Sequence, residues 1–144
     1  MGLVVLAGCL GGFAVMPWVR KKLLANPRRL GRWGQNRAEV FLKRQRLQTL
    51  ARNFAFSGGE LDLVMGDRDG TIVFVEVKTR RDEKFIPALA AVNAKKRRHI
   101  IRTAKCFLRQ FKISDRPLRF DIVTVILGDR GKPKIQHYPN AFIA

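Results

Sequence analysis

The sequence predicts an α/β fold, a mixed β-sheet flanked by helices, and three features predict it. The first is the stretch Gly58 to Lys78, where two apolar runs flank the turn Gly66-Asp67-Arg68-Asp69-Gly70 in the manner of a β-hairpin. The second is a pair of amphipathic helical stretches, one before the hairpin and a longer one after it. The third is a further strand-like run, Arg119 to Leu127, beyond the second helix. The order helix, strand, hairpin, long helix, strand suits one sheet covered on both faces. A length of 144 residues predicts one domain, and 47% hydrophobic residues suffice for a core.

Taken in order, Met1 to Val19 carries no charge, and its apolar run, residues 3–19, is nearly long enough to cross a bilayer. Trp18 and the basic Arg20, Lys21 and Lys22 follow as an anchor's cytoplasmic flank would. Gly8, Gly11, Gly12 and Pro17 weaken a helix there, so a non-spanning extension stands beside the anchor. Ala25 to Arg32 reads as a basic linker broken at Asn26-Pro27, so residues 1–27 form the N-terminal segment and 28–144 the domain. Ala38, Phe41 and Leu42 give helical spacing from Gly34 to about Arg46, with Gln35 in the first turn. Thr49 to Phe54 predicts a strand. Within the hairpin, simple alternation puts Glu60, Asp62 and Val64 on one face, and Ile72, Phe74, Glu76 and Lys78 on one face of the second strand.

Ala88 to Phe111 is the longest helix candidate. Leu89, Val92, Ile100, Ala104, Phe107, Leu108 and Phe111 line one side. Lys95, Arg98, Arg102, Lys105 and Arg109 fall along the other, a like-charge stripe that phosphates would relieve, although a plain solvated face has the same pattern. Lys96 projects near the edge of the apolar side, toward the expected active cleft, and counts with the stripe as a nucleic-acid-binding candidate. Lys134 to Tyr138 closes the sheet as an edge strand.

Charges inside apolar strands need a cause, because an isolated carboxylate among Val and Phe carries a large desolvation penalty. Asp62 and Glu76 can converge at the hairpin end away from the turn. Two close carboxylates repel unless a cation lies between them, and a hard divalent ion is satisfied by one or two of them plus water. Lys78 shares the Glu76 face. The residues alone leave two readings open: a divalent-metal site, or a buried ion pair between Lys78 and one carboxylate. Asp121 is a third carboxylate in an apolar strand, read here as a structural partner of Arg119 or a lysine in preference to a metal ligand.

An Asp, a hairpin and then Glu-x-Lys resembles the PD-(D/E)xK motif of restriction-endonuclease-like folds. The wider pattern resembles the YraN-type family of bacterial proteins. It comprises Gly31-Arg32-Trp33-Gly34, Arg52-Asn53, Gly58-Gly59-Glu60-Leu61-Asp62-Leu63 and Phe74-Val75-Glu76-Val77-Lys78-Thr79-Arg80. Ala91-Val92 with Lys96, Arg119-Phe120-Asp121 and Asn140-Ala141-Phe142 complete it. That family is itself similar to archaeal Holliday-junction resolvases. The resemblance implies a restriction-endonuclease-like mixed sheet, a magnesium or manganese cofactor held by Asp62 and Glu76, and a catalytic role for those two with Lys78. It also implies a nucleic-acid partner, DNA ahead of RNA, and raises a homodimer as a possible assembly. Gln35 and Glu60 are additional candidates at the same centre. One departure matters: Gln35 stands where the family pattern has glutamate, and it offers a carbonyl oxygen without charge.

A net charge of +18, from 29 Lys plus Arg against 11 Asp plus Glu, points to a polyanionic partner, nucleic acid first and anionic membrane second. Arg80 and Arg81, just past Lys78, present donor forks suited to phosphate oxygens. Cys9 and Cys106 have neither metal nor redox spacing, which fits reduced thiols and a cytoplasmic setting, with an inner-membrane tether as the alternative. His99 has no ligand-spaced partner and reads as a surface residue. No Gly-rich phosphate loop or Ser/His/Asp set is present. Three functions emerge: a metal-dependent endonuclease, a nucleic-acid-binding module without chemistry on the same scaffold, and a membrane-associated structural protein.

Overall fold

A computed structural model describes residues 6–7, 13–84 and 92–144. The strands are β1 (Leu6–Ala7), β2 (Gln48–Phe56), β3 (Gly59–Gly66), β4 (Ile72–Arg80), β5 (Leu118–Ile126) and β6 (Lys134–Phe142). The helices are α1 (Pro17–Leu24), α2 (Pro27–Arg44) and α3 (Ala94–Gln110). The sheet order is β1-β6-β5-β4-β3-β2. Among these strands only β4 and β5 pair in parallel, from Ile72 opposite Leu118 to Arg80 opposite Ile126. Parallel neighbours need a long crossover, and the segment carrying α3 supplies it.

Each face of the sheet is roofed by one helix. On the α2 face, Ala38, Phe41 and Leu42 meet Leu63, Met65, Val73, Val75, Val123 and Val125. On the α3 face, Ile100, Ala104 and Phe107 meet Leu61, Val64, Ile72, Phe74, Phe120 and Ile122. This double cover explains why β3, β4 and β5 read as nearly continuous apolar runs. Stacked or edge-on rings run from Phe54 through Phe107, Phe74 and Phe120 to Phe142 and tie α3 to the sheet. A Cβ at Gly34 would overlap the Thr79 hydroxyl, and one at Gly59 would overlap the Thr103 hydroxyl, so each helix makes its closest approach at a glycine.

Several boundaries differ from the sequence expectation. α2 begins at Pro27, seven residues before Gly34, because Asn26 caps it: its side-chain oxygen accepts from Arg28 N (3.0 Å) and Arg29 N (3.2 Å). Asn followed by Pro at the first helical position is a helix start, so the supposed linker is the first turn and a half of α2. Gln35 therefore lies mid-helix and not in the first turn. α3 begins at Ala94, with the Asn93 side chain accepting from Lys96 N; the expected start at Ala88 and the apolar Leu89 lie outside the described residues. β6 runs on to Phe142, and β1 pairs beyond it at His137 and Gln136, so the strand is not a bare edge.

Within the 3–19 segment, residues 3–5 and 8–12 lie outside the described residues. Pro17 opens α1, and among the described residues no helix is long and apolar enough to cross a membrane. Arg20, expected as a flanking charge, is buried instead. Its guanidinium donates to the carbonyls of Leu127 (3.0 Å), Gly128 (2.6 Å) and Gly131 (3.0 Å) at the end of β5. Val15 and Leu23 pack with Leu127 beside it.

Candidate active site

The site forms where β3 leaves β4. Their ladder runs from Gly66 opposite Ile72 to Leu63 opposite Val75. One residue further, Asp62 Oδ2 accepts the Val77 N–H at 2.7 Å, taking the place of a strand carbonyl. The Asp62 carbonyl is satisfied from the other side by Gln35 Nε2, at 2.9 Å. The divergence has a local cause. Leu61 packs on the α3 face and Leu63 on the α2 face, so β3 turns over at Asp62. β2 turns with it: Asn53 has φ 48°, Arg52 reaches Glu39 on α2, and Phe54 joins the α3-side core. The expectation that Glu60, Asp62 and Val64 share a face is thereby corrected. Strict alternation fails here, where the β3–β4 ladder has ended and the Asp62 carboxylate meets the Val77 N–H in place of a strand carbonyl.

Glu76 follows Phe74 on the α3 face of β4 and is 4% exposed. Lys78 Nζ lies 3.0 Å and Lys96 Nζ 3.3 Å from its Oε1. Of the two readings left open by the sequence, the ion pair is made, between Lys78 and Glu76. The Asp62 carboxyl is pushed up to about 7, first by burial and then by the Glu76 charge, against the Val77 N–H and Lys96.

A pH dependence follows from that shift. The unfolded Asp62 carboxyl releases its proton near 3.8 and the folded one near 7. Between those values the folded state binds more protons, so this group's contribution to stability falls as pH rises from about 4 to 7 and is level above. Replacing Asp62 with Asn should remove the fall, a change on the order of a few kcal/mol across the window, read from urea midpoints of both proteins at stepped pH. Parallel curves would show that Asp62 titrates normally.

Among the described residues no group of three or more His, Cys, Asp or Glu side chains converges on one point. Two hard carboxylates suit magnesium or manganese holding most of its water shell. Gln35 is half-buried and engaged on a backbone carbonyl, while Glu60 is exposed at the rim. Lys96 turns inward to Glu76. Lys95, Arg98, Arg102, Lys105 and Arg109 lie along α3, away from the carboxylates, with Arg98, Arg102, Lys105 and Arg109 spaced down its outer side. Arg80 is exposed and donates to the Thr79 carbonyl, and Arg81 lies 3.8 Å from Asp129. His99 lines the cavity beside the β2–β3 turn and has no ligand-type partner among the described residues.

Asp121 is structural, with Arg119, His137 and the Asn140 N–H around it. The residue pattern gave no warning of Glu39. It is 6% exposed and held by Thr49 Oγ1 (2.6 Å), Arg52 and Lys43, and the Arg52 hydrogen bond in particular holds its carboxyl down at about 2. Its spacing of four from Lys43 was the available signal, yet that spacing marks exposed helix pairs just as often. The Val77 N–H, the backbone anchor of the site, could not have been found from any side-chain pattern.

A mixed sheet flanked by helices and carrying Asp62 at a strand divergence beside Glu76-Val77-Lys78 defines a restriction-endonuclease-like domain. The profile of "Uncharacterised protein family UPF0102" matches residues 34–125, and the chain belongs to this YraN-type family. A UPF0102 protein of Pseudomonas paraeruginosa is 44% identical over 122 residues, covering 83% of this chain and 97% of its own. One from Trichlorobacter lovleyi is 39% identical over 113 residues, covering 78% and 89%. One from Geotalea uraniireducens is 39% identical over 125 residues, covering 86% and 97%.

Proposed function

We propose that this protein binds nucleic acid and hydrolyses its phosphodiester bonds as a metal-dependent endonuclease. The observation that carries this reading is the grouping of Asp62, Glu76 and Lys78 where β3 leaves β4, with Lys96 of the basic helix α3 on Glu76. Asp62 and Glu76 would hold magnesium or manganese, which supplies charge neutralisation at the scissile phosphate and a more acidic water. Lys78, paired with Glu76, would orient a water or offset negative charge that builds on the phosphate. Arg80, Arg81 and the α3 stripe supply sequence-independent grip on the backbone.

A binding module without chemistry is the second reading. It is favoured by Gln35, whose amide is spent on a carbonyl, and by the two lysines that already neutralise Glu76. A panel of duplex, nicked, branched and single-stranded DNA and RNA, with magnesium or manganese, separates the two. Cleavage of any member supports the enzyme; tight binding with every member intact supports the module. In both cases affinity should drop about 10³-fold between roughly 50 and 200 mM salt if five or six phosphates are contacted. Salt-independent binding, or none, would remove the basic helix from the account.

A further inference from the structure

Beside the carboxylates, the β2–β3 turn encloses an open cavity of about 450 Å³ lined by Phe56, Ser57, Gly58, Glu60, Lys96 and His99, among others. Its lining is unusual for a surface dominated by cations. Phe56 is 48% exposed, although it is a large aromatic at the end of a strand. Ser57 (φ 45°) and Gly58 (φ 79°) form a tight left-handed turn that carries the ring out from the sheet edge. Arg102, from the basic stripe, reaches Ser57 Oγ at 3.3 Å, so the turn joins the helix face that grips phosphate. Lys96 lines this cavity and also lies 3.3 Å from Glu76 Oε1, so one side chain borders both the cavity and the carboxylate site.

From this geometry we infer that the cavity receives one unpaired nucleobase, stacked on Phe56, next to the phosphate presented to Asp62 and Glu76. The inference rests on the nucleic-acid reading above and adds a substrate class: strands with a locally unpaired or displaced base. Glu60 would repel a phosphate placed in the cavity itself, which leaves the base as the part that fits. A base inside an intact duplex hides both faces in its stack, so an aromatic ring can meet one only where pairing is broken. Lys96 and Arg102 flank the cavity where the backbone on either side of that base would pass.

Binding measured by fluorescence anisotropy in EDTA tests this without any need for cleavage. The probes are an intact duplex, the same duplex with a gap of a few nucleotides, and the gapped duplex with abasic residues in the gap. Wild-type protein should prefer the gapped duplex, and the abasic version should lose that preference. Replacing Phe56 with Ala should weaken gapped-duplex binding about tenfold or more and leave intact-duplex binding unchanged. Replacing Phe56 with Trp should retain or strengthen it, which guards against an effect of misfolding. Equal affinity of wild type for all three probes, or equal loss on all three in the Ala variant, overturns the base pocket while the nucleic-acid reading stands. No binding to any probe overturns both.

Discussion

Glu76→Gln is expected to abolish magnesium-dependent cleavage while nucleic-acid binding persists. The substitution keeps the shape of a side chain that is 4% exposed and removes only its charge. On the proposed mechanism one of two acidic donors for the cation would be lost, and loss of a preorganised charge at a reacting centre typically lowers turnover about 10²- to 10³-fold. Two further consequences tell this apart from general damage. Lys78 and Lys96, now 3.0 and 3.3 Å from a neutral group, become free positive charges, so affinity for a polyanion should hold or rise. Asp62 loses the repulsion that is the second cause of its raised ionisation, so its titration should move down. Single-turnover cleavage and anisotropy on the most susceptible member of the panel measure the first two effects. Cleavage at the unaltered rate would take Glu76 out of the mechanism.

Asp121→Ala should destabilise the fold more than any substitution at the Asp62–Glu76 site. The carboxylate is fully buried, and Arg119 Nε (2.9 Å) and NH2 (3.0 Å) donate to it as a fork. His137 Nε2 lies 2.7 Å from Oδ2, and the Asn140 N–H donates to Oδ1 at 2.9 Å. Asp121 thus fills the irregularity between β5 and β6, where the register shifts between Phe120 and Ile122 and Asn140 takes a φ of 54°. Its removal leaves a partly buried guanidinium, a buried imidazole and a backbone N–H without their acceptor. Breaking such a cluster by deleting one partner costs about 3–5 kcal/mol, a large share of a small domain's total. The urea midpoint reports it. A midpoint within experimental scatter of wild type would mean that β6 is held by its apolar contacts alone.

The behaviour of Asp121 and Asp62 also marks how far the sequence could be read. Both are carboxylates in apolar strands, and both accept a backbone N–H at a strand irregularity. From the residues they differ only in their neighbours: Arg119 two positions before Asp121, Glu76-Val77-Lys78 across the hairpin from Asp62. That difference sufficed to assign a structural role to one and a candidate site to the other. The inward turn of Lys96 was legible from its place at the edge of the α3 apolar face. The position of Gln35 was not, because Asn26-Pro27 caps a helix as readily as it breaks a linker.

The sequence by itself determined the alternation of helices and strands, the double-covered sheet and the strong positive charge, and it named a short set of candidate site residues. These depend on local periodicity and on composition, which each segment carries with it. The tertiary structure alone decided that β3 turns over at Asp62, that Val77 and Gln35 fix the two sides of that residue, and that Arg20 is buried against the end of β5. Each of those is a contact between segments far apart in the chain. It exists only once packing has set the register between strands, and no spacing within a single segment encodes it.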